Sequence, residues 1–175
     1  YQWEGFYTAA PDTKSRVVTV NGGYIKGGAN YRANDNSNFF FNVGQIMRPP
    51  SFDGVFPNAD YDFEEADEIL NESFTSFELG YGFRSSNFKG TINAYHTVWG
   101  DRTLRRSTSI DDQGVRIIYS GVEQTHQGIE GEMTWYPSNR LRVKGMFSLG
   151  DWKYTKNFQG DAYFIDNNQP AGTTG

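Results

Sequence analysis

The chain has 175 residues, 17% of them aromatic, with 20 glycines, no cysteine and a formal charge of −5. Its mean hydropathy of −0.67, with no apolar run of about 18 residues, excludes membrane-spanning helices but not membrane-spanning strands, whose apolar residues recur only at every second position. Absent cysteine excludes disulfide frameworks, thiol catalysis and cysteine metal sites.

Tyr1 to Arg16 is a mixed polar and aromatic entry in which Pro11 and Asp12 mark a loop. Val17 to Val20 and Tyr24 to Arg32 read as one long interrupted strand, with Ile25, Ala29 and Tyr31 on one side and Lys26, Asn30 and Arg32 on the other. The cluster ANDNS, Ala33 to Ser37, is a turn. A strand follows from Asn38 to Arg48, opposing Phe39, Phe41, Val43 and Met47 to Asn42, Gly44 and Arg48, and Pro49 and Pro50 end it because proline cannot donate to a ladder. The connection up to Asn71 is long and acidic. Eight acids and no lysine or arginine lie between Pro50 and Glu72, so the remainder of the chain is mildly basic, and neither part has the footprint of a nucleic-acid binder.

Ser73 to Arg84 alternates cleanly, with Phe77, Leu79, Tyr81 and Phe83 against Ser76, Glu78, Gly80, Gly82 and Arg84, and its 12 residues suffice for a tilted transmembrane strand, which needs about 9 to 11. After the small residues Ser85, Ser86 and Asn87 a second strand runs from Phe88 to Trp99, and Phe83 and Phe88 flank the turn where an interfacial aromatic girdle would lie. This strand resists the scheme, since its alternation sets His96 beside Ile92, Ala94 and Val98; either His96 faces lipid or a bulge shifts the register. Asp101 to Tyr119 reads as a second long, charged connection. The next strand, about Val122 to Tyr136, opposes Ile129, Gly131, Met133 and Trp135 to Gly128, Glu130, Glu132 and Thr134. A turn at Pro137, Ser138 and Asn139 leads into Leu141 to Asp151, where Leu141, Val143, Phe147 and Leu149 oppose Arg142, Lys144, Met146 and Ser148. The tail from Asn157 reads as a third long loop.

Short turns near residues 35, 86 and 138 therefore alternate with long connections, the layout of an outer-membrane barrel with short periplasmic turns and long outside loops. The charged residues Glu78, Arg84, Glu130, Glu132, Arg142 and Lys144 all fall on the polar side, as a wet lumen requires and a dry core does not tolerate. The expected fold is all-β: six or seven antiparallel strands forming a sector of a larger transmembrane barrel, one partial domain over residues 1–175. The chain starts in YQWEGFY and stops in PAGTTG without closing a pattern, and so reads as a piece of a longer one. The alternative from a different class is a soluble β-sandwich that binds carbohydrate on exposed Trp and Tyr.

Asp60, Asp62, Glu64, Glu65, Asp67 and Glu68 form an acidic loop whose carboxylates have the chemistry to wrap a hard cation, yet it lacks the glycine and spacing of a calcium loop, and a solvated ligand-facing loop is the simpler reading. His96 and His126 are the only histidines and share no metal motif. Glu130 and Glu132 share a side, but with Arg84, Arg142 and Lys144 on the same side a charge ladder explains them better than acid–base catalysis. No nucleophile constellation or phosphate loop is present, so the expectation is a non-enzyme without cofactor or metal.

KGGANYR (Lys26 to Arg32), FFFNVGQIMRPPSFDGVFPN (Phe39 to Asn58), NESFTSFELGYGF (Asn71 to Phe83), YHTVWGDR (Tyr95 to Arg102) and HQGIEGEMTWYPSNRLRVKGMFSLGDWKY (His126 to Tyr154) resemble the C-terminal barrel of TonB-dependent receptors, in a flavour closest to those of Bacteroidetes. The resemblance implies a barrel of 22 strands in the bacterial outer membrane, filled by an N-terminal plug and importing an iron chelate, cobalamin or a glycan with energy from TonB. It implies as partners the outer-membrane lipid, the protein's own plug, TonB through the missing N-terminal part, and a small-molecule or glycan ligand. A surface lipoprotein is a further partner that the glycan-importing branch uses. A passive porin is the remaining alternative.

Overall fold

In the computed structural model, residues 2–3, 17–56, 66, 69–167 and 169–174 are described. The strands are β1 (Gln2–Trp3), β2 (Val18–Thr19), β3 (Gly23–Arg32), β4 (Ser37–Arg48), β5 (Glu72–Arg84), β6 (Phe88–Ile110), β7 (Gln113–Ser138), β8 (Leu141–Tyr154), β9 (Gly160–Phe164) and β10 (Pro170–Thr174), with one short helix, α1 (Phe52–Val55). No described helix is long and apolar enough to cross a membrane.

β3 to β8 form one antiparallel sheet in which every strand pairs with its neighbour in sequence. Directly opposed residues of an antiparallel pair share a face, so the register can be followed across the sheet. Phe41, Leu79, Ala94, Ile129 and Leu149 make one such row, and Phe39, Tyr81, Ile92, Gly131 and Phe147 the next. The alternation in each strand is thus in step with that of its neighbours, giving the sheet one apolar and one polar face. Nothing among the described residues covers the apolar face; Leu79 is 60% and Leu149 70% exposed. A sandwich would need a second sheet there, and the described strands supply none. The sheet does not close on itself, and β3 and β8 have no partner strand on their outer sides among the described residues.

The largest departure from expectation is at Asp101 to Tyr119, which is strand and not loop. β6 runs for 23 residues and β7 for 26, joined at Asp111–Asp112 with Ile110 opposite Gln113. Both turn residues have positive φ, 50° and 62°, the left-handed pair that matches the twist of a two-residue hairpin and that aspartate tolerates. β6 pairs with β5 only as far as Gly100 and β7 with β8 only from Gln124, so the outer part of this hairpin, from Asp101 to Glu123, projects beyond the wall. Charge density hid the alternation of its β-formers.

The tail differs as well. Gly160–Phe164 pairs with Val115–Tyr119 and then with Pro170–Thr174, so β9 and β10 extend the projecting hairpin into a small sheet with Val115, Ile117 and Ala162 buried at its centre. Val18–Thr19 pairs with Gln2–Trp3 in a separate two-stranded sheet instead of continuing into β3. The β7–β8 turn falls at Asn139–Arg140, since Pro137 and Ser138 still belong to β7. The other two turns, Ala33–Asn36 and Ser85–Asn87, lie where expected.

The start of the acidic connection is folded down. Pro50 is buried, and Val18, Val55 and Phe56 form a small core with Val20, Phe52 and Ile69 against it. Asp60, Asp62, Glu64, Glu65, Asp67 and Glu68 lie outside the described residues.

Candidate functional site: the polar face of the sheet

Strand alternation sets Glu78, Arg84, Glu130, Glu132, Arg142 and Lys144 on the polar face, and the register brings them into rows. Arg84 opposes Lys89, Lys89 opposes Thr134, and Thr134 opposes Lys144, a basic row at the short-turn end of the sheet. Glu78 sits at mid-height, accepting from Asn42 Nδ2 and Asn93 Nδ2 at 2.9 Å each, one to each carboxylate oxygen. Glu130 accepts from Ser148 Oγ at 3.2 Å, and Ser76 and Thr97 hydroxyls pair at 2.8 Å. A carboxylate held by two amides on neighbouring strands is a fixed acceptor.

Aromatic residues, which the alternation did not single out as functional, occupy the far end of the same face. Phe74 stacks on Trp99 at 4.7 Å, and the Arg102 guanidinium lies 3.3 Å from the Trp99 ring centre. The Arg48 guanidinium is 5.4 Å from Phe74 and 5.7 Å from Trp99, and pairs with Glu72, which also accepts from Trp99 Nε1 at 3.2 Å. This knot binds the tops of β4, β5 and β6 together. On β8, Trp152 Nε1 donates to the Tyr95 hydroxyl at 3.1 Å while His126 packs on the indole at 5.6 Å. The signal for Tyr95 and Trp99 was present in the alternation of β6. Trp152 and Tyr154 escaped because β8 runs three residues beyond its expected end at Asp151.

Aromatics and glycines interlock across strands. Phe40 opposes Gly80 and its ring occupies the space a Cβ there would need, so an aromatic covers the gap that glycine leaves in its neighbour.

His96 is resolved by its row. No bulge intervenes below Trp99, and His96 does lie on the apolar side, opposite Phe77 and Gln127. There the row turns polar: His96 Nδ1 is 3.2 Å from Gln127 Oε1, Gln127 Nε2 donates to Asp151 Oδ2 at 3.3 Å, and Lys153 Nζ reaches the same carboxylate at 2.9 Å. This ladder ends the apolar belt of Ala94, Ile129 and Leu149 on β6 to β8. His126, opposite Thr97, is on the other face, so the two histidines cannot share a metal. Among the described residues no group of three or more His, Asp or Glu is placed to hold a metal ion.

Beyond the ladder, Glu123 accepts from Thr155 Oγ1 at 2.9 Å and pairs with Lys156 at 2.8 Å. The hydrogen bond from Lys156, then that from Thr155, holds the Glu123 carboxyl below its usual value, and Glu123 in turn raises the Lys156 ammonium.

A family model described as TonB dependent receptor-like, beta-barrel, matches residues 3–174. No curated protein and no solved structure matches.

Proposed function

Because the chain belongs to the TonB-dependent receptor-like β-barrel family, we propose that it supplies six wall strands of an energised importer that captures a scarce nutrient outside the cell and admits it through the barrel. The family is one of bacterial outer-membrane barrels. The observation that carries the reading is a sheet with an uncovered face of Phe41, Leu79, Ala94, Ile129 and Leu149 backed by a face on which Glu78 is held by two asparagines. Hydrocarbon suits the first face and penalises the second. β3 to β8 therefore stand with the apolar side on lipid and with Glu78, Arg84, Glu130, Glu132, Arg142 and Lys144 toward the lumen.

An unpaired strand edge in hydrocarbon is untenable, so further strands of the same receptor continue the wall beyond β3 and β8, and residues 1–175 are one partial barrel domain. The protein's own N-terminal plug fills the lumen. The basic row supports this, because Arg84 directly opposite Lys89 is a repulsive pair that an acidic plug surface offsets. In this reading the loop carrying Asp60, Asp62, Glu64, Glu65, Asp67 and Glu68 faces the incoming ligand, TonB acts through the plug, and a surface lipoprotein caps the barrel if the cargo is a glycan. The chain contributes wall and loops and no catalysis.

The reading is tested in cells carrying the full-length receptor. Removing TonB should abolish uptake while surface binding of the same ligand persists, because capture needs only barrel and plug. Uptake that continues unaltered without TonB makes the protein a passive porin and ends the importer reading.

A further inference from the structure

We propose that the outer half of the polar face on β6 to β8 is a binding path for a neutral oligosaccharide, with Trp152 and Tyr154 as the platforms on which sugar rings stack. The inference rests on the importer reading, because it takes this face as the lumen.

The first support is how the rings lie. Tyr95 opposes Gly128, and Gly128 opposes Gly150, so the row beside Trp152 has two positions without a side chain. A Cβ on Gly128 would meet the Tyr95 hydroxyl at 2.8 Å, and one on Gly150 would meet the Trp152 indole nitrogen at 3.0 Å. Tyr95 and the nitrogen edge of Trp152 thus rest close over bare backbone. The indole N–H is already satisfied by Tyr95, which leaves Trp152 an apolar surface with no polar group to bury. Trp152 remains 68% exposed and Tyr154 53%.

The second is continuity toward the outside. Two residues along β8 from Trp152, Tyr154 meets Phe158 at 5.3 Å, and Phe158 meets Tyr119 of the projecting hairpin at 5.3 Å, edge to face. These three rings line a cleft of about 690 Å³, within the range of roughly 300 to 1,000 Å³ usual for small-ligand sites. Rings therefore follow one another from the projecting sheet down to mid-height of the wall.

The third is charge. Among the described residues, the polar-face positions of this region on β6 to β8, from the row of Asn93, Glu130 and Ser148 up to the row of Trp99, Gln124 and Tyr154 at the mouth, carry no lysine or arginine. The cations nearby are engaged, Arg102 on Trp99 and Lys156 with Glu123. An anionic metal chelate would find no uncommitted cation there. A neutral oligosaccharide fits, since its rings offer apolar C–H faces to aromatics and hydroxyl rims to groups such as Glu130 and Asn93.

The test uses the full-length receptor in detergent on an array of neutral oligosaccharides of plant, fungal and host origin. At least one should be retained, with Trp152→Ala weakening it about five- to tenfold, the loss expected for one stacked ring, and Trp152→Phe restoring most of it. Heat-modifiable migration of both variants checks that the barrel is intact. The proposal is overturned if no neutral oligosaccharide is retained, if Trp152→Ala binds as the native protein does, or if Trp152→Ala raises ion conductance without altering glycan binding, which would make Trp152 a seat for the plug. TonB-dependent uptake of a ferric chelate with no glycan bound sinks this path and spares the importer. Glycan binding that depends on Trp152, with uptake indifferent to TonB, does the reverse.

Discussion

Leu79 and Lys144 put the assignment of faces to a quantitative test, because each is exposed but to a different solvent in the proposed arrangement. Leu79 lies in the middle row of the apolar belt, between Phe41 and Ala94. Leu79→Arg should destabilise the barrel by about 2 to 4 kcal/mol, the cost of arginine near a bilayer midplane. Lys144→Ala should cost well under about 1 kcal/mol, since Lys144 stands in a basic row and its removal lowers repulsion. Reversible unfolding in bilayers measures both, and equal costs would mean that the faces are wrongly assigned. The alternation alone placed both residues correctly relative to each other. It gave no warning that Phe40 covers Gly80 or that Tyr95 lies over Gly128, because those fits join residues 40 and 33 positions apart.

At the level of elements, the projecting β6–β7 hairpin is joined to the end of β8 through Glu123, and that joint should respond to pH at both extremes. The Glu123 carboxyl is depressed from the ordinary 4.5, so its contribution is fully present above that pH and is lost as pH falls through the lower folded value. The Lys156 ammonium is raised from 10.5, so its contribution is present below that pH and lost as pH climbs through the higher folded value. The joint is intact between. The Thr155 amide, which donates to the Glu123 carbonyl at 3.1 Å, reports on it. Its hydrogen-exchange protection factor should drop as pH falls below about 4.5 in the native protein, and Glu123→Gln should remove that step. A step that survives the substitution would assign the joint to another group.

For the whole molecule, the uneven reach of the two ends of the sheet sets the proposed topology. At one end the turns are short, at Ala33–Asn36, Ser85–Asn87 and Asn139–Arg140; at the other the chain builds the α1 cap, the 23- and 26-residue strands and the β9–β10 sheet. Barrels of this kind keep short turns in the periplasm. A single cysteine replacing Ser109 should therefore react with an impermeant thiol reagent on intact cells, and one replacing Ser86 should react only after the outer membrane is opened. The opposite pattern would invert the receptor.

The wall strands β3 to β8, their two faces, the turns at Ala33–Asn36 and Ser85–Asn87 and the family are legible in the sequence, because a strand buries or exposes residues with a period of two that needs no knowledge of its neighbours. The tertiary structure alone decided what depends on pairing. Asp101 to Tyr119 is rich in charge and carries the local pattern of a loop, yet cross-strand partners and the left-handed pair Asp111–Asp112 make it a hairpin. His96 looked misplaced until its row supplied Gln127 and Asp151, and Trp152 gained meaning only when register set Tyr95, Gly128 and Gly150 beside it. Register is fixed between residues tens of positions apart, and a local period carries no record of which residue will stand opposite.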